Sequence, residues 1–97
     1  MIKSFKCADT RTLFETGRTR RWSAIVSVVE RKLSMLAAAV DLFDLRSPPG
    51  NRLEQLYGDR EGQHSIRING QFRICFVWGP NGPENVEIWI TTEVNHV

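Results

Sequence analysis

The sequence predicts an α+β fold in which two helices pack on one face of a small, mainly antiparallel sheet. Apolar residues recur every three or four positions between Arg20 and Val40, as on one face of a helix, and they alternate with polar residues in the runs 64–68 and 72–78, as in strands. A chain of 97 residues is long enough for one hydrophobic core, which favours one layer of helices on one sheet. We therefore expect residues 1–97 to form a single domain.

The first predicted elements are a strand and a short helix. Met1–Cys7 (MIKSFKC) has the pattern of a short N-terminal strand. Asp9 has a side chain suited to the N-cap of a helix, and Gly17 is the residue type that most often ends one. A helix is therefore expected over Thr10–Thr16.

The second helix is predicted from about Arg20 to Val40. Its apolar face is formed by residues at helical spacing: Trp22, Ile25, Val26, Val29, Leu33, Leu36, Ala37 and Val40. The other face carries basic residues, among them Arg20 and Arg31. Such a face is either simply solvated or in contact with nucleic acid or an acidic partner.

The segment after the helices crosses to the sheet. Phe43–Gly50 interrupts regular structure, because Pro-Pro-Gly cannot continue a helix. Charged Gly58–Gly62 and Pro80–Pro83 are predicted turns. The last strand places Val86, Ile88 and Ile90 on one face and Glu87 and Trp89 on the other. The helices are expected to cover one face of the sheet and to leave the other open.

The central hairpin consists of the runs QHSIRI and FRICFVW around Asn69-Gly70-Gln71. A two-residue loop would place Ile66 and Ile68 opposite polar residues, whereas an odd loop with a left-handed residue at or beside Gly70 avoids this. The odd loop puts the apolar side chains on one face: His64, Ile66, Ile68, Phe72, Ile74, Phe76 and Trp78. The other face then carries Ser65, Arg67, Arg73 and Cys75.

Arg67 and Arg73 are therefore expected side by side and exposed on the open face. Two guanidinium groups in this arrangement repel each other unless an anion lies between them, and phosphate matches their planar forks. Ten of the 13 basic residues are arginine, which favours phosphate binding but also occurs in ordinary proteins. The alternative for Arg73 is a structural ion pair, with Glu87 on the neighbouring strand as its expected partner.

Composition argues against several classes of protein. The net charge is only +2, and no apolar run has the length of a signal-peptide core or approaches the roughly 20 residues of a membrane span. Cys7 and Cys75, both in predicted strands, lack the spacing of metal ligands, so they are expected to be buried, reduced thiols of a cytosolic protein. Neither a metal ion nor another cofactor is expected.

Three segments of the chain resemble one protein family. MIKSF at the start, SPPGNRLE before the charged turn and GDREGQHSIRINGQFRICF across the hairpin are similar to the HigB toxins, also called plasmid maintenance system killer proteins, of the RelE/ParE superfamily. The likeness covers roughly residues 1 to 88. It implies a RelE-like (microbial-RNase-like) fold and a toxin that inhibits translation by cutting mRNA on the ribosome. It also implies a HigA-like antitoxin with a helix-turn-helix domain, through which alone the pair would contact operator DNA.

The resemblance also implies roles for single residues. Arg73 in QFRICF matches the sheet arginine that the family places at the scissile phosphate, and Glu54 in RLEQL lies where some relatives have a histidine used in acid–base work. Family members commonly end in Asp-Tyr-His, which supplies catalytic groups, whereas this chain ends in WITTEVNHV. Glu93 and His96 are the candidates to replace those groups. The alternative is that catalysis is weakened or lost.

Metal-free RNA cleavage defines what such a site must contain. It requires a base for the 2′-hydroxyl proton, cations that stabilise the pentacovalent phosphorane and an acid for the 5′-oxygen. We assign the cationic role to Arg73 and Arg67. Proton transfer is assigned to Glu54 and His96, although an ordinary exposed carboxylate and a frayed chain end are the alternatives.

Two further residues are candidates for RNA binding. Arg52 lies beside the Pro-Pro-Gly turn and would position the substrate. Trp89 projects toward the open face, where it either stacks on a base or packs against a helix or a partner chain. His64 falls on the apolar face and is expected to be a core or edge residue rather than a catalytic one.

Two functions from different classes follow. The first is a ribosome-dependent RNA endonuclease that binds RNA through Arg67 and Arg73. The second is a protein whose activity is mainly binding: an attenuated toxin that still holds its antitoxin, or a ParE-like inhibitor of DNA gyrase.

Overall fold

The computed structural model of the protein describes residues 1–91. Within that range there are two α-helices and one antiparallel sheet: α1 (Ala8–Thr16), α2 (Val26–Ala38), β1 (Glu54–Gln55), β2 (His64–Arg67), β3 (Phe72–Gly79) and β4 (Gly82–Ile90). The strands lie side by side in the order β1-β2-β3-β4. The predicted α+β fold is confirmed. No helix of the described range is long and apolar enough to cross a membrane.

The N-terminus of α1 differs from the prediction. Its N-cap is Cys7 and not Asp9, which lies in the first turn. The Asp9 carboxylate pairs with Arg21 at 3.3 Å, because the loop after the helix returns Arg21 to this end. Gly17 ends the helix as predicted, in the left-handed conformation (φ 74°), where its N–H donates to the Leu13 carbonyl.

The second helix, α2, begins later than predicted. A 3-10 turn at Ser23–Ile25 precedes it, and its first residue is Val26. The Thr19 hydroxyl oxygen accepts the Trp22 N–H at 3.2 Å, and this turn directs the indole ring into the core, where Trp22 is only 3% exposed. The apolar spacing therefore predicted the burial of Trp22 correctly, but Trp22 is not part of the helix.

The other end of α2 is also shorter than predicted. Ala39 is already extended, and Val40 is 89% exposed, so the prediction of a buried Val40 is wrong. The backbone N–H groups of Val40 and Asp41 both donate to the Asp44 carboxylate, at 2.9 and 3.0 Å. This capping box starts a new 3-10 helix, Leu42–Arg46, and releases Val40 from the helix face.

The predicted N-terminal strand is reduced to one parallel bridge between Phe5 and Val86 of β4. Backbone hydrogen bonds flank this bridge, including one from the Val86 N–H to the Ser4 carbonyl at 3.1 Å. β4 is bulged at this point, with Asn85 at a φ of 53° and a shift in its pairing with β3. The bulge prevents a regular ladder with the N-terminal segment.

The β2–β3 hairpin has the predicted register, because Ile66 pairs with Ile74 and Arg67 pairs with Arg73 across the odd loop 69–71. The prediction of a left-handed residue at or beside Gly70 is wrong, since no residue of this loop has a positive φ. The Asn69 side-chain oxygen instead closes the loop by accepting the N–H groups of Gln71 and Phe72, at 2.8 and 2.9 Å. One apolar cluster joins the inner face of the sheet to the helices: Leu13, Trp22, Val29, Leu33, Leu36, Leu45, Ile66, Ile68, Ile74, Phe76, Val86 and Ile88. The outer face, opposite this core, therefore carries both arginines.

Candidate functional site

The outer face of the sheet brings together most of the residues that the sequence nominated. Strand pairing aligns these side chains from β1 to β4: Glu54, Ser65, Arg67, Arg73, Cys75, Glu87 and Trp89. The face is less open than expected, since Ser65 and Cys75 are both 0% exposed. The charged side chains of the outer face cover Ser65 and Cys75, and these charged side chains form the candidate site.

Arg73 lies flat along the sheet toward β1. Its Nε donates to the Ser65 hydroxyl at 2.6 Å, and its Nη2 donates to the Arg52 carbonyl at 2.5 Å and to the Ser65 carbonyl at 3.4 Å. The side chain is 12% exposed, so the expectation of an exposed arginine is wrong. Fixed acceptors of this kind hold a guanidinium in one orientation, which is the preorganisation that transition-state stabilisation requires.

The ion-pair partner of Arg73 is Glu54 and not Glu87. Glu54 Oε1 lies 3.7 Å from Arg73 Nη2, whereas Glu87 pairs with Arg60 at 2.9 Å and with Lys6 at 3.7 Å. Burial lowers the pKa of Arg73 from its ordinary value, and the Glu54 carboxylate acts in the opposite direction. Because Glu54 is 57% exposed, the carboxylate is accessible to a ligand.

Arg67 faces Arg73 directly across the β2–β3 pairing. Arg67 and Arg52 both act to lower the pKa of Arg73, so three guanidinium groups lie within electrostatic range of each other. In the part of the chain that the structure describes, Arg67 forms no ion pair. Like charges in opposed positions weaken a sheet, and an anion bound between them removes the repulsion.

Arg52 contributes its backbone rather than its side chain to this arrangement. It follows the 3-10 helix Pro49–Asn51 in the left-handed conformation, with a φ of 46°. This conformation directs its carbonyl to Arg73 Nη2, while the Arg52 side chain remains exposed. The exposed guanidinium is thus free to contact a substrate beside the Arg73 site.

Trp89 pairs with Arg73 in the β3–β4 register, on the far side from Glu54. The Arg60 guanidinium covers its ring, 4.3 Å from the centroid, and also donates to Glu87 at 2.9 Å and to Gln63 at 3.0 Å. This geometry favours packing over base stacking, because a base needs the ring face that Arg60 occupies. The sequence reading missed Arg60, although the charged turn at 58–62 was the available signal.

Two histidines of the prediction have different outcomes. His64 lies on the inner side of the hairpin, stacked with Phe76 at a centroid distance of 6.3 Å, as expected for a core or edge residue. His96, together with Glu93, lies outside the described residues. No group of three or more His, Cys, Asp or Glu residues within 1–91 is arranged to hold a metal ion.

The two cysteines also differ from each other. Cys75 is fully buried in β3 as predicted, whereas Cys7 precedes α1 and is only partly buried. Burial raises the pKa of the Cys75 thiol to about 12, while nearby Arg60 and Arg73 act in the opposite direction. The Cys75 thiol is therefore protonated at pH 8 and is a poor nucleophile.

We expect iodoacetamide at pH 8 to modify Cys7 in the native protein and to leave Cys75 unmodified. The thiolate is the reacting species, so a raised pKa and burial both slow alkylation. Mass spectrometry of tryptic peptides before and after urea unfolding measures the two rates. Labelling of native Cys75 at the rate of the unfolded chain contradicts the prediction.

Comparisons with known proteins match this chain to one family of toxins. Residues 3–90 match the model of a family described as the RelE-like toxin of type II toxin-antitoxin system HigB. The chain is 50% identical over 80 residues to "Toxin HigB-1" of Vibrio cholerae, a match that covers 80% of this chain and 84% of the relative. It is 36% identical over 77 residues to "Endoribonuclease HigB" of Proteus vulgaris, covering 78% of this chain and 83% of the relative.

Proposed function

Because this chain belongs to the RelE-like HigB family of type II toxins, we propose that it is an RNA endonuclease that stops translation by cutting mRNA on the ribosome. The observation that supports the proposal most strongly is the pairing of Arg67 with Arg73 on the outer face, with the Glu54 carboxylate 3.7 Å from Arg73. These residues form a cationic site for a phosphodiester, and the Glu54 carboxylate lies beside it as a general base.

The proposed reaction needs no metal ion. Glu54 accepts the 2′-hydroxyl proton, and the 2′-oxygen attacks the adjacent phosphorus. Arg73 and Arg67 bind the non-bridging oxygens, whose negative charge increases in the phosphorane. The bond to the 5′-oxygen then breaks, and an acid, for which we propose His96, protonates that oxygen. The products are a 2′,3′-cyclic phosphate and a 5′-hydroxyl.

Substrate positioning and partners complete the proposal. The exposed Arg52 side chain binds a neighbouring phosphate, and Trp89 contacts a base only if Arg60 leaves its ring. A toxin of a type II system has an antitoxin partner. We propose that this partner is HigA-like, with a helix-turn-helix domain that carries the pair to operator DNA, and that residues 1–97 act as one toxin domain in the cytosol.

Expression from a tightly repressed promoter tests the function. We expect growth arrest with cleaved mRNA, mapped by primer extension, and fragments that carry a 2′,3′-cyclic phosphate. The same cleavage in a purified system should require ribosomes. Arrest with DNA damage and intact mRNA would instead indicate a gyrase inhibitor, and a lack of arrest would indicate a protein that only binds its antitoxin; either result contradicts the proposal.

A further inference from the structure

Lys32 on α2 is a buried cation that the proposed reaction does not use. It is 7% exposed, and its ammonium donates to the Asn51 side-chain oxygen. It forms no ion pair with any carboxylate in residues 1–91. Burial lowers its pKa, as do the neighbouring positive charges of Arg31 and Arg67. A buried cation whose only partner is neutral lowers the stability of the fold, so a role other than stabilising the fold must account for Lys32.

Asn51 connects Lys32 to the segment that crosses from the helices to the sheet. Its side chain is fully buried, and its amide nitrogen donates to the Leu45 carbonyl at 3.1 Å and to the Ser47 carbonyl at 3.4 Å. Its backbone N–H donates to the Pro48 carbonyl at 2.9 Å. Asn51 is therefore held from α2 on one side and from the crossing segment on the other.

The next residue is Arg52, whose carbonyl accepts from Arg73 at 2.5 Å. Arg52 has a φ of 46°, a conformation that non-glycine residues adopt at a cost of about 1 kcal/mol or more and keep only when the surroundings impose it. Its N–H is fixed to the Pro49 carbonyl at 3.1 Å, but the bonds that anchor the whole turn to the protein are those of Asn51.

We propose that Lys32 and Asn51 are positioning residues: they fix the turn at Arg52 so that its carbonyl holds the Arg73 guanidinium against the sheet. The inference rests on the proposed function, in which Arg73 binds the scissile phosphate. It assigns the buried Lys32 to the orientation of the site and not to contact with RNA.

A purely structural role makes a different prediction. If Lys32 and Asn51 only stabilised the fold, activity would fall and recover together with stability. Removing Asn51 alone leaves the Lys32 ammonium buried without its partner, and removing both residues abolishes that penalty, while the Leu45 and Ser47 carbonyls lose the Asn51 donor in either case. A pair of single variants and their double variant therefore separates the two roles.

The experiment compares Lys32→Met, Asn51→Leu and the double variant with the wild-type protein. We expect each single variant to lower the urea midpoint of unfolding and the double variant to be more stable than Asn51→Leu, because it leaves no unpaired ammonium buried. The cleavage rate constant at saturating ribosomes should stay about ten-fold or more below wild type in the double variant, because the Arg52 carbonyl is no longer fixed. Lys3→Met, at an exposed lysine, is the matched control and should change neither quantity.

A second measurement does not depend on RNA cleavage. The Arg73 Nε–H group donates to Ser65, so its ¹H–¹⁵N NMR signal should exchange slowly with water in the wild type and rapidly in the double variant. Recovery of this signal and of cleavage along with stability would overturn the inference. If the wild-type protein cleaves no RNA, the proposed function fails, and the NMR signal alone still decides whether Lys32 and Asn51 position Arg73.

Discussion

Replacing Arg73 with alanine is expected to lower the rate of RNA cleavage by about 10³-fold. The guanidinium is the group that the structure holds most firmly on the outer face, and loss of one preorganised donor to a developing oxyanion typically costs a factor of 10² to 10³. The substitution also removes the charge that lies opposite Arg67. Single-turnover cleavage of mRNA on purified ribosomes measures the loss.

The stability of Arg73→Ala should also fall, by about 1–3 kcal/mol, because buried Ser65 and the Arg52 carbonyl both lose their donor. Urea unfolding measures this change, so cleavage must be assayed where the variant is folded. Arg73→Lys keeps the charge without the planar fork and should retain partial activity. Arg18→Ala removes an exposed arginine at the end of α1 and should behave as wild type. A folded Arg73→Ala protein that cleaves normally excludes Arg73 from the mechanism.

Glu54→Gln is expected to have the second-largest effect on cleavage, a loss of about 10²-fold. The amide keeps the shape of the side chain, but it does not accept the 2′-hydroxyl proton. Stability should change little, because Glu54 is 57% exposed and its contact with Arg73 is 3.7 Å long. Single-turnover cleavage of mRNA on purified ribosomes measures the rate, and urea unfolding checks that the variant is folded.

Glu61→Gln is the matched control for Glu54, since Glu61 is an exposed carboxylate in the neighbouring turn. It should leave both the cleavage rate and the urea midpoint unchanged. A folded Glu54→Gln variant that keeps the wild-type cleavage rate would show that another group is the base, and the residues beyond 91 would then be the place to search for it.

The hairpin and its charged face were predictable because strand alternation is a local property. Once Ile66 and Ile74 are assigned to the core, Arg67 and Arg73 must project from the opposite side. Glu87 and Trp89 follow from the same rule on β4. None of these assignments required knowledge of contacts between distant segments.

The partners of these side chains were not predictable, since they come from segments far away in sequence. The left-handed turn at Arg52 determines that Arg73 is covered, and Arg60 reaches Trp89 from a turn of its own. The Lys32 to Asn51 bond joins a helix to an irregular segment, for which no periodic pattern exists. The burial of polar groups was therefore the main feature that could not be predicted from the sequence.

The cross-strand pairing of Arg67 with Arg73 has a consequence for the stability of the protein. Like charges at paired positions reduce the stability of the unliganded protein, so a neutral residue in place of Arg67 would make the sheet more stable. In the proposed reaction Arg67 binds the scissile phosphate, so the same substitution would lower the rate of cleavage. Stability and catalytic activity therefore place opposite requirements on position 67.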